Sequence, residues 1–158
     1  MGSIVIRKAR EADYEEIAVM IARLKTLNEE LDPHFKVVDN LGEEAEKYAS
    51  RLVNSDKHIV LVAEDTSTSQ LVGVIVAELQ DRIFYKPRIK ALITDLYVKP
   101  RYRRRRLGTL LIEKLAEEAA RRGAGILSAI YPSNNAIAER FYEEHGFSKL
   151  QVERFKKL

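Results

Sequence analysis

One stretch of this sequence changes its hydrophobic spacing at a single point, and so defines two neighbouring elements of the fold. Residues 90–98 are mostly aliphatic and β-branched, which predicts a strand. The strand ends at Lys99-Pro100, because proline cannot donate to a β-ladder. Apolar residues then recur at helical spacing: Leu107, Leu110, Leu111, Leu115 and Ala119. The stretch is therefore a strand, a loop and a long helix that ends near Gly123.

The rest of the chain supplies a predicted order of elements around this unit. Strands are predicted at 4–7, 58–63, 71–77 and 125–131, helices up to about Asn28 and over 43–54 and 134–145, and an extended segment from Phe147 onward. The order is β-α-α-β-β-β-α-β-α-β, with one further strand left open at the end. It predicts one α/β (α+β) domain over residues 1–158, with a single mixed, mostly antiparallel central sheet flanked by helices.

Composition excludes several classes of protein. The 158 residues contain no cysteine, so a disulfide framework, a thiolate metal site and a cysteine nucleophile are all excluded. Three scattered histidines make a metal site unexpected, and no apolar run is long enough to span a membrane. Residues 1–4 lack the basic and apolar regions of a secretory signal. We therefore expect a cytoplasmic protein.

Positive charge is concentrated in the loop between the predicted strand and helix. Arg101 and the run Arg103 to Arg106 fall within six positions. Without these five arginines, the formal net charge of +3 would become −2. Such a block indicates binding to phosphate, either of a nucleic-acid backbone or of a small cofactor. A solvated surface loop is the third interpretation.

The position of the block favours a ligand at a helix N-terminus. The first turn of a helix has unpaired N–H groups and a partial positive charge, so it is already an anion site. Gly108, in that first turn, would let a ligand or another part of the backbone come close. The stretch lacks the Gly-Lys-Ser/Thr of a nucleotide P-loop and the three glycines of a dinucleotide fingerprint. We therefore expect a phosphate-bearing ligand held in some other way.

Two motifs carry a family resemblance. Arg103-x-x-Arg106-x-Gly108 follows a strand that ends in Val98-Lys99-Pro100, and Asn135-x-x-Ala138-x-x-x-Tyr142-x-x-x-Gly146-Phe147 lies downstream. Together with the opening segment 4–13 and the order of elements, they resemble the GCN5-related N-acetyltransferase (GNAT) family. The resemblance implies an acyl-CoA N-acyltransferase-like fold and transfer of an acetyl group from acetyl-CoA to a primary amine. It also implies a homodimer, and the composition already implies no metal.

The resemblance assigns the candidate cofactor site. It implies that backbone N–H groups of the strand end polarise the acetyl carbonyl, over Leu96, Tyr97 and Val98. It implies that the loop and the first helical turn hold the diphosphate, through Arg103, Arg104, Arg105, Arg106, Leu107, Gly108 and Thr109. Asn135 would cap its helix and bond the amide arm of the cofactor.

Two residues are candidates for catalysis. In the resemblance, Tyr142 is the general acid that protonates the leaving thiolate, and the alternative is a tyrosine that merely packs its ring on the sheet. Asp95 lies just before the active strand end. We expect it to hold the positive charge of the acceptor or to relay a proton through water, and its alternative is a structural hydrogen bond. Residues 31–35, Phe84-Tyr85 and Tyr131 would line the acceptor site by family position.

One departure from the family pattern leads to a backbone prediction. The family usually has glycine where Arg106 stands. Because a left-handed backbone costs an arginine about 1 kcal/mol or more, we predict a right-handed or extended conformation at Arg106.

The alternative function is a nucleic-acid-binding module that uses the block from Arg101 to Arg106. Against it, the basic cluster is short and the rest of the chain is slightly acidic, so no broad basic face is expected. Nucleic acid is therefore the less favoured partner, behind acetyl-CoA and an amine acceptor.

Overall fold

Five strands form one open sheet in the computed structural model, which describes residues 3–158. The strands are β1 (Ile4–Lys8), β2 (His58–Asp65), β3 (Gln70–Asp81), β4 (Ile89–Val98) and β5 (Ile126–Ala129), and they lie in chain order across the sheet. The first three neighbouring pairs are antiparallel, and β4 and β5 are parallel. The predicted mixed, mostly antiparallel sheet is confirmed. Met1 and Gly2, which belong to the predicted domain and to the segment without a signal, lie outside the described residues.

Four helices flank the sheet, in the predicted order. They are α1 (Tyr14–Leu31), α2 (Leu41–Val53), α3 (Leu107–Arg121) and α4 (Ala136–Glu144). Short 3₁₀ helices at Glu11–Asp13, Pro33–Phe35 and Pro100–Tyr102 connect the larger elements. None of the helices within residues 3–158 has both the length and the apolar character needed to cross a membrane.

Alternation along the strands divides the core into two layers. On one face of the sheet, Val62 and Val74 pack with Ile17 and Ile21 of α1 and with α2. On the other face, neighbouring positions of the same strands pack against α3 and the end of α4, around Leu111. Successive side chains of a strand point to opposite faces, so a strand covered on both sides becomes a continuous apolar run. Leu111 is fully buried, and Leu111→Ala would cost about 3 kcal/mol.

The prediction of a strand after α4 is wrong. Residues 147–158 form no helix or strand, so β5 is the last strand of the sheet within residues 3–158. The apolar side chains of Leu150, Val152 and Phe155 stay more than half exposed. Apolar residues that remain in water cannot offset the entropy lost on ordering a strand.

The two parallel strands separate near their carboxyl ends, and this positions the candidate site. β4 pairs with β5 only over Lys90 to Ile93, and the last bond is donated by the Ile130 N–H to the Ile93 carbonyl. β4 continues to Val98, still paired with β3 on its other side. A gap therefore opens beside the last residues of β4, at the end of the sheet where α3 begins.

Candidate active site

Backbone groups of β4 line one side of the gap. The Lys99 N–H donates to the Val72 carbonyl at 2.9 Å, and Tyr97 lies opposite Val74. Because hydrogen-bonded residues alternate in an antiparallel ladder, the N–H groups of Leu96 and Val98 point away from β3, into the gap. These two residues belong to the predicted strand end, and their orientation suits donors for a carbonyl oxygen.

The arginine loop, Arg103–Arg106, has an unusual backbone, and it corrects one prediction. Arg106, the N-cap of α3, lies in the left-handed region at φ 60°, not in the predicted right-handed or extended conformation. Arg104 is also left-handed, at φ 63°. Each such residue costs about 1 kcal/mol, so contacts elsewhere must hold the loop in this shape.

The same backbone forms an anion-binding concavity. Left-handed residues alternating with other conformations turn successive N–H groups toward one point, as in phosphate-binding nests. The Arg106 side chain does not cap α3 by a hydrogen bond, so the N–H groups of the first turn, at Leu107, Gly108 and Thr109, remain available. Loop and helix end together have the geometry and the partial positive charge to hold a diphosphate.

Gly108 has a packing role that the sequence did not show. A Cβ built at Gly108 would lie 3.3 Å from Cζ of Phe141, a residue of α4. The close approach that glycine permits is therefore used by an aromatic ring of the neighbouring helix. The backbone N–H of Gly108 stays free to meet a ligand.

Thr109 and His145 join the start of α3 to the end of α4. The His145 Nδ1 lies 2.7 Å from the Phe141 carbonyl, which can only accept, so Nδ1 carries the proton. Nε2 then accepts from the Thr109 hydroxyl at 2.8 Å. Thr109 was predicted to bind cofactor, and its side chain is engaged within the protein, which leaves its backbone N–H for that role.

The arginine side chains divide into two groups. Arg103 donates from Nε to the Val98 carbonyl at 2.8 Å, and its guanidinium lies 5.5 Å from the centre of the Tyr97 ring. The guanidinium of Arg105 lies 5.8 Å from the centre of the Tyr102 ring. Arg104 and Arg106 extend into solvent. Two arginines thus help to shape the loop, and two offer their charge outward.

Tyr142 lies in the wall of the same region. It is 7% exposed and packs in one cluster with Leu96, Val98 and Leu107. The ring of Tyr131 stacks on it at 5.5 Å. Burial, and then the negative charges of ionised Tyr131 and of Asp95, raises the pKa of the Tyr142 phenol above its ordinary value. The phenol is therefore protonated at neutral pH, as a general acid must be.

The Tyr142 hydroxyl is free to act on a ligand. It makes no hydrogen bond within residues 3–158. It is also not fully enclosed, because Ser128 Oγ is the one fully enclosed side-chain polar atom without a partner in that range. A buried phenol usually finds a partner. An open hydroxyl beside the gap therefore indicates a partner that the protein itself does not supply.

Asn135 caps α4 as predicted. Its side-chain oxygen accepts from the Ala138 N–H at 3.0 Å. Its neighbour Asn134 donates to Asp32 at 3.0 Å, and Asp32 also accepts from the His34 N–H. These bonds join the α1–α2 connection to the start of α4.

Asp95 has three partners within the protein. Its carboxylate accepts from Lys25 Nζ at 2.6 Å, from the Tyr48 hydroxyl at 2.7 Å and from the Thr94 hydroxyl at 2.9 Å. Its side chain is 0% exposed, whereas that of Lys25 is 38% exposed. We refer to Lys25, Tyr48, Thr94 and Asp95 as the Asp95 cluster. Burial, and then the charge of Asp95, raises the pKa of Tyr48, so this phenol is the donor.

Lys25 and Tyr48 are site residues that the sequence reasoning missed. One signal was available, because Lys25 lies four residues after Ile21, which itself follows Ile17 by four, on the buried stripe of α1. A lysine on an apolar stripe calls for a buried acid as partner. Nothing in the neighbouring residues indicates that this acid is Asp95.

Phe84 and Tyr85 do not line the site. They lie in the β3–β4 connection, 83% and 63% exposed, before β4 begins at Ile89. At about 3.3 Å per residue, the far end of β4 at Leu96 is roughly 23 Å from its start. The prediction for these two residues is wrong, whereas Tyr131 does lie beside Tyr142. No group of three or more His, Asp or Glu side chains in the described part of the chain could hold a metal ion.

Comparison with known proteins places this geometry among acetyltransferases. The sequence model of the Acetyltransferase (GNAT) family matches residues 24–147. No curated protein sequence matches the chain.

Solved structures share the whole fold. The BH1408 protein from Bacillus halodurans, as a tetramutant, is 20% identical, with 98% of this chain and 99% of that chain covered and a TM-score of 0.84. A possible acetyltransferase from Clostridium difficile 630 is 18% identical, with 98% and 97% covered and a TM-score of 0.80. The aminoglycoside N-acetyltransferase AAC(6')-Iy, in complex with CoA, is 14% identical, with 100% and 96% covered and a TM-score of 0.75. At these identities the likeness concerns the fold alone.

Proposed function

We propose, because the chain belongs to the acetyltransferase (GNAT) family, that this N-acetyltransferase moves an acetyl group from acetyl-CoA to a primary amine by direct attack in a ternary complex. The observation that carries the proposal is the β4–β5 gap, which lies between the open N-terminus of α3 and the unpartnered hydroxyl of Tyr142. Each of these three features meets one need of acyl transfer.

The residues of the arginine loop and of α3 fit the cofactor. The N–H groups of the loop and of Leu107 to Thr109 would bind the diphosphate, and the exposed guanidinium groups of Arg104 and Arg106 would add charge-assisted bonds. Asn135, which already caps α4, retains its amide N–H groups for the amide arm. When bound, acetyl-CoA supplies a thioester carbonyl for attack.

The backbone of β4 would serve the carbonyl. The N–H groups of Leu96 and Val98 face the gap and can donate to a carbonyl oxygen as it gains negative charge. The nitrogen of a neutral amine then forms the new C–N bond while the C–S bond breaks. Backbone donors held by a ladder on β3 need no rearrangement during that step.

Tyr142 would return a proton to the leaving sulfur. Its raised pKa keeps the phenol protonated. It also makes the phenol a weaker acid than a thiol, whose ordinary pKa is near 8.5. Transfer from the phenol is therefore uphill in water, and it becomes feasible in this site because burial raises the pKa of the leaving sulfur as well. The phenolate then regains a proton from water. The proton that the amine nitrogen loses goes to water or to a base other than Asp95. The Asp95 carboxylate already accepts three hydrogen bonds within the protein.

The acceptor that we propose is a small, polyamine-like amine, or a protein lysine or N-terminus. Asp95 was expected to hold a cationic acceptor, and in this chain it already holds Lys25. A cationic group of the acceptor would have to displace that ammonium or bind elsewhere. Asp95 therefore acts on the acceptor through Lys25, as a positioning residue.

Thermal unfolding with CoA tests the cofactor half of the proposal. Saturating CoA raises Tm by mass action, and desphospho-CoA raises it less if the arginines meet the 3′-phosphate. A short DNA duplex in the same assay tests the alternative function. A salt-dependent rise with DNA and none with CoA would favour nucleic-acid binding.

A turnover screen tests the acceptor half. Acetyl-CoA is incubated with polyamines, amino sugars, amino acids and peptides, and the free thiol is measured. The protein contributes no thiol, because it has no cysteine. Turnover with any primary amine above the acceptor-free rate supports the proposal, and none across the four classes contradicts it.

A further inference from the structure

A buried carboxylate at the end of β2 is bonded to Tyr102, the residue directly before the arginine loop. The Tyr102 hydroxyl donates to Asp65 Oδ2 at 2.7 Å. Asp65, the last residue of β2, is 1% exposed, and its Oδ1 accepts from the N–H and the hydroxyl of Ser67. Both carboxylate oxygens are therefore filled by groups of the protein. Asp65 also pairs with Ile4 of β1, so its position is fixed by the sheet.

Tyr102 connects that fixed point to the loop. It is the last residue of the 3₁₀ helix Pro100–Tyr102 and directly precedes Arg103. Its N–H donates to the Lys99 carbonyl at 2.9 Å, and its ring packs against the core on the α3 side. The Arg105 guanidinium lies over the same ring. One side chain thus touches the sheet with its hydroxyl and the loop with its ring.

The loop depends on such contacts for its shape. Arg104 and Arg106 are both left-handed, and a free chain would leave this conformation. The contacts that oppose relaxation lie at two places. Arg103 is bonded to the Val98 carbonyl on the β4 side, and Tyr102 is bonded to Asp65 on the β2 side. Both bonds are charge-assisted, because a guanidinium donates in the first and a carboxylate accepts in the second, and the second joins residues 37 positions apart.

We infer that Asp65 and Tyr102 are positioning residues that hold the arginine loop in its anion-binding shape, and so set the affinity for CoA. The inference rests on the proposed function and adds residues to its cofactor site. Neither Asp65 nor Ser67 lies among the residues proposed to touch the cofactor. Their effect passes through Tyr102.

The expected effect is a loss of affinity without a loss of chemistry. If the loop adopts its binding shape for only a fraction of the time, the apparent Kd for CoA rises by the inverse of that fraction. Loss of one bond to a charged group predicts a rise of about tenfold for Tyr102→Phe. At saturating acetyl-CoA the loop is restored by the ligand, so KM for acetyl-CoA rises while kcat stays the same.

Calorimetric titration with CoA is the first measurement. Tyr102→Phe, Asp65→Asn and the double variant are compared with wild type, and Tyr85→Phe is the control because that tyrosine is exposed on the β3–β4 connection. We expect the Tyr85→Phe variant to bind like wild type. Asp65→Asn should weaken binding by about threefold alone and by little in the Tyr102→Phe background, because the two residues share one bond. Equal CoA affinity of wild type and Tyr102→Phe overturns the inference.

Hydrogen exchange without CoA is the second measurement, and it separates the two proposals. Amides of residues 103–108 should exchange faster in Tyr102→Phe than in wild type, while those of β2 and β3 stay equal. If wild type fails to bind CoA, the proposed function is overturned and exchange alone decides the role of the pair. Faster exchange then supports a loop held by Tyr102, and unchanged exchange overturns it.

Discussion

The arginine loop and the Asp95 cluster lie at the two sides of the same strand end and are built in opposite ways. The arginine loop uses backbone N–H groups, at residues close together in the sequence. The Asp95 cluster uses side chains that come from α1, α2 and β4, with Lys25 and Asp95 separated by 70 positions. The first is a local arrangement of N–H groups suited to an anion. The second is a long-range arrangement of side chains that supplies hydrogen-bond donors and a cation to a buried carboxylate.

The difference explains why a fold can keep one function and vary another. A phosphate cradle made of backbone survives many side-chain changes, as long as the loop keeps its shape. A cluster made of side chains changes its charge with a single substitution. The family model covers both regions, and we expect the choice of acceptor to depend on the second.

The largest expected effect comes from Tyr142→Phe. It tests whether catalysis depends on the cofactor side of the strand end and not on the Asp95 cluster. Tyr142→Phe removes the hydroxyl and keeps the ring that packs against Tyr131, Phe141 and Phe147. We expect kcat to fall by about 100-fold or more, with the Kd for CoA nearly unchanged, because a general acid acts only during transfer. Stopped-flow or steady-state assays of thiol release measure kcat.

The matched control for Tyr142 is Tyr131→Phe, which changes the ring stacked on Tyr142 by one hydroxyl. Its kcat should stay close to wild type. Equal turnover of wild type and Tyr142→Phe would remove Tyr142 from the mechanism. The group that protonates the sulfur would then have to lie on the side of β4 that holds the Asp95 cluster.

Lys25→Met tests the Asp95 cluster by its stability. The variant leaves the Asp95 carboxylate buried with two hydroxyl donors and no cation. We expect a loss of about 2 kcal/mol in the free energy of unfolding, less than for a fully buried pair because Lys25 is 38% exposed. Lys47→Met, which breaks an exposed pair with Glu44, should cost at most about 0.5 kcal/mol. Urea unfolding measures both variants. Equal losses of unfolding free energy would contradict the expectation that the Lys25–Asp95 pair is stronger than an exposed ion pair.

Arg106→Gly tests the backbone of the arginine loop. Glycine relieves the left-handed conformation at φ 60°, so we expect the free energy of unfolding to rise by up to about 1 kcal/mol. Arg101→Gly is the control, because Arg101 lies in a 3₁₀ helix without a left-handed φ, and there glycine should destabilise. Destabilisation by both variants in thermal and urea unfolding would show that the Arg106 side chain matters more than its backbone.

The smallest effect is a pH dependence on the sheet side of the loop. Hydrogen bonds from Ser67 and then from Tyr102 hold the pKa of the Asp65 carboxyl below its ordinary value. A carboxyl with a lowered folded pKa adds stability above its unfolded pKa of about 4, and that stability is lost as pH falls through the folded value. Wild type should therefore lose more stability between pH 5 and pH 2 than Tyr102→Phe does. Parallel Tm curves over this range would contradict the link between the two residues.

Sequence reasoning was most successful where structure is set locally. The switch from strand to helix across Pro100, the mixed sheet and the cap at Asn135 each follow from nearby residues, and each is present. The position of the arginine loop, between a strand and the start of a helix, was also predicted from sequence, because Pro100 ends the strand and the apolar spacing changes after it.

Sequence reasoning failed where distant residues decide the outcome. The left-handed backbone at Arg106 contradicts local propensity, since contacts of Tyr102 and Arg103 outweigh a cost of about 1 kcal/mol. The segment after Phe147 has no partner strand within residues 3–158. Asp95 was recognised as a charge but not as one already matched by Lys25, because the place of Lys25 on the apolar stripe of α1 calls for an acid without saying which one, 70 positions away, it meets.

The bond between Thr109 and His145 means that two helices respond as one body. α3 begins at the proposed diphosphate, and α4 carries Tyr142; their ends are joined through the His145 ring, and their sides meet where the Phe141 ring covers Gly108. A displacement of the start of α3 would therefore shift α4, and the Tyr142 phenol with it. If the proposed roles are correct, binding of the diphosphate and placement of the phenol depend on the same pair of helices.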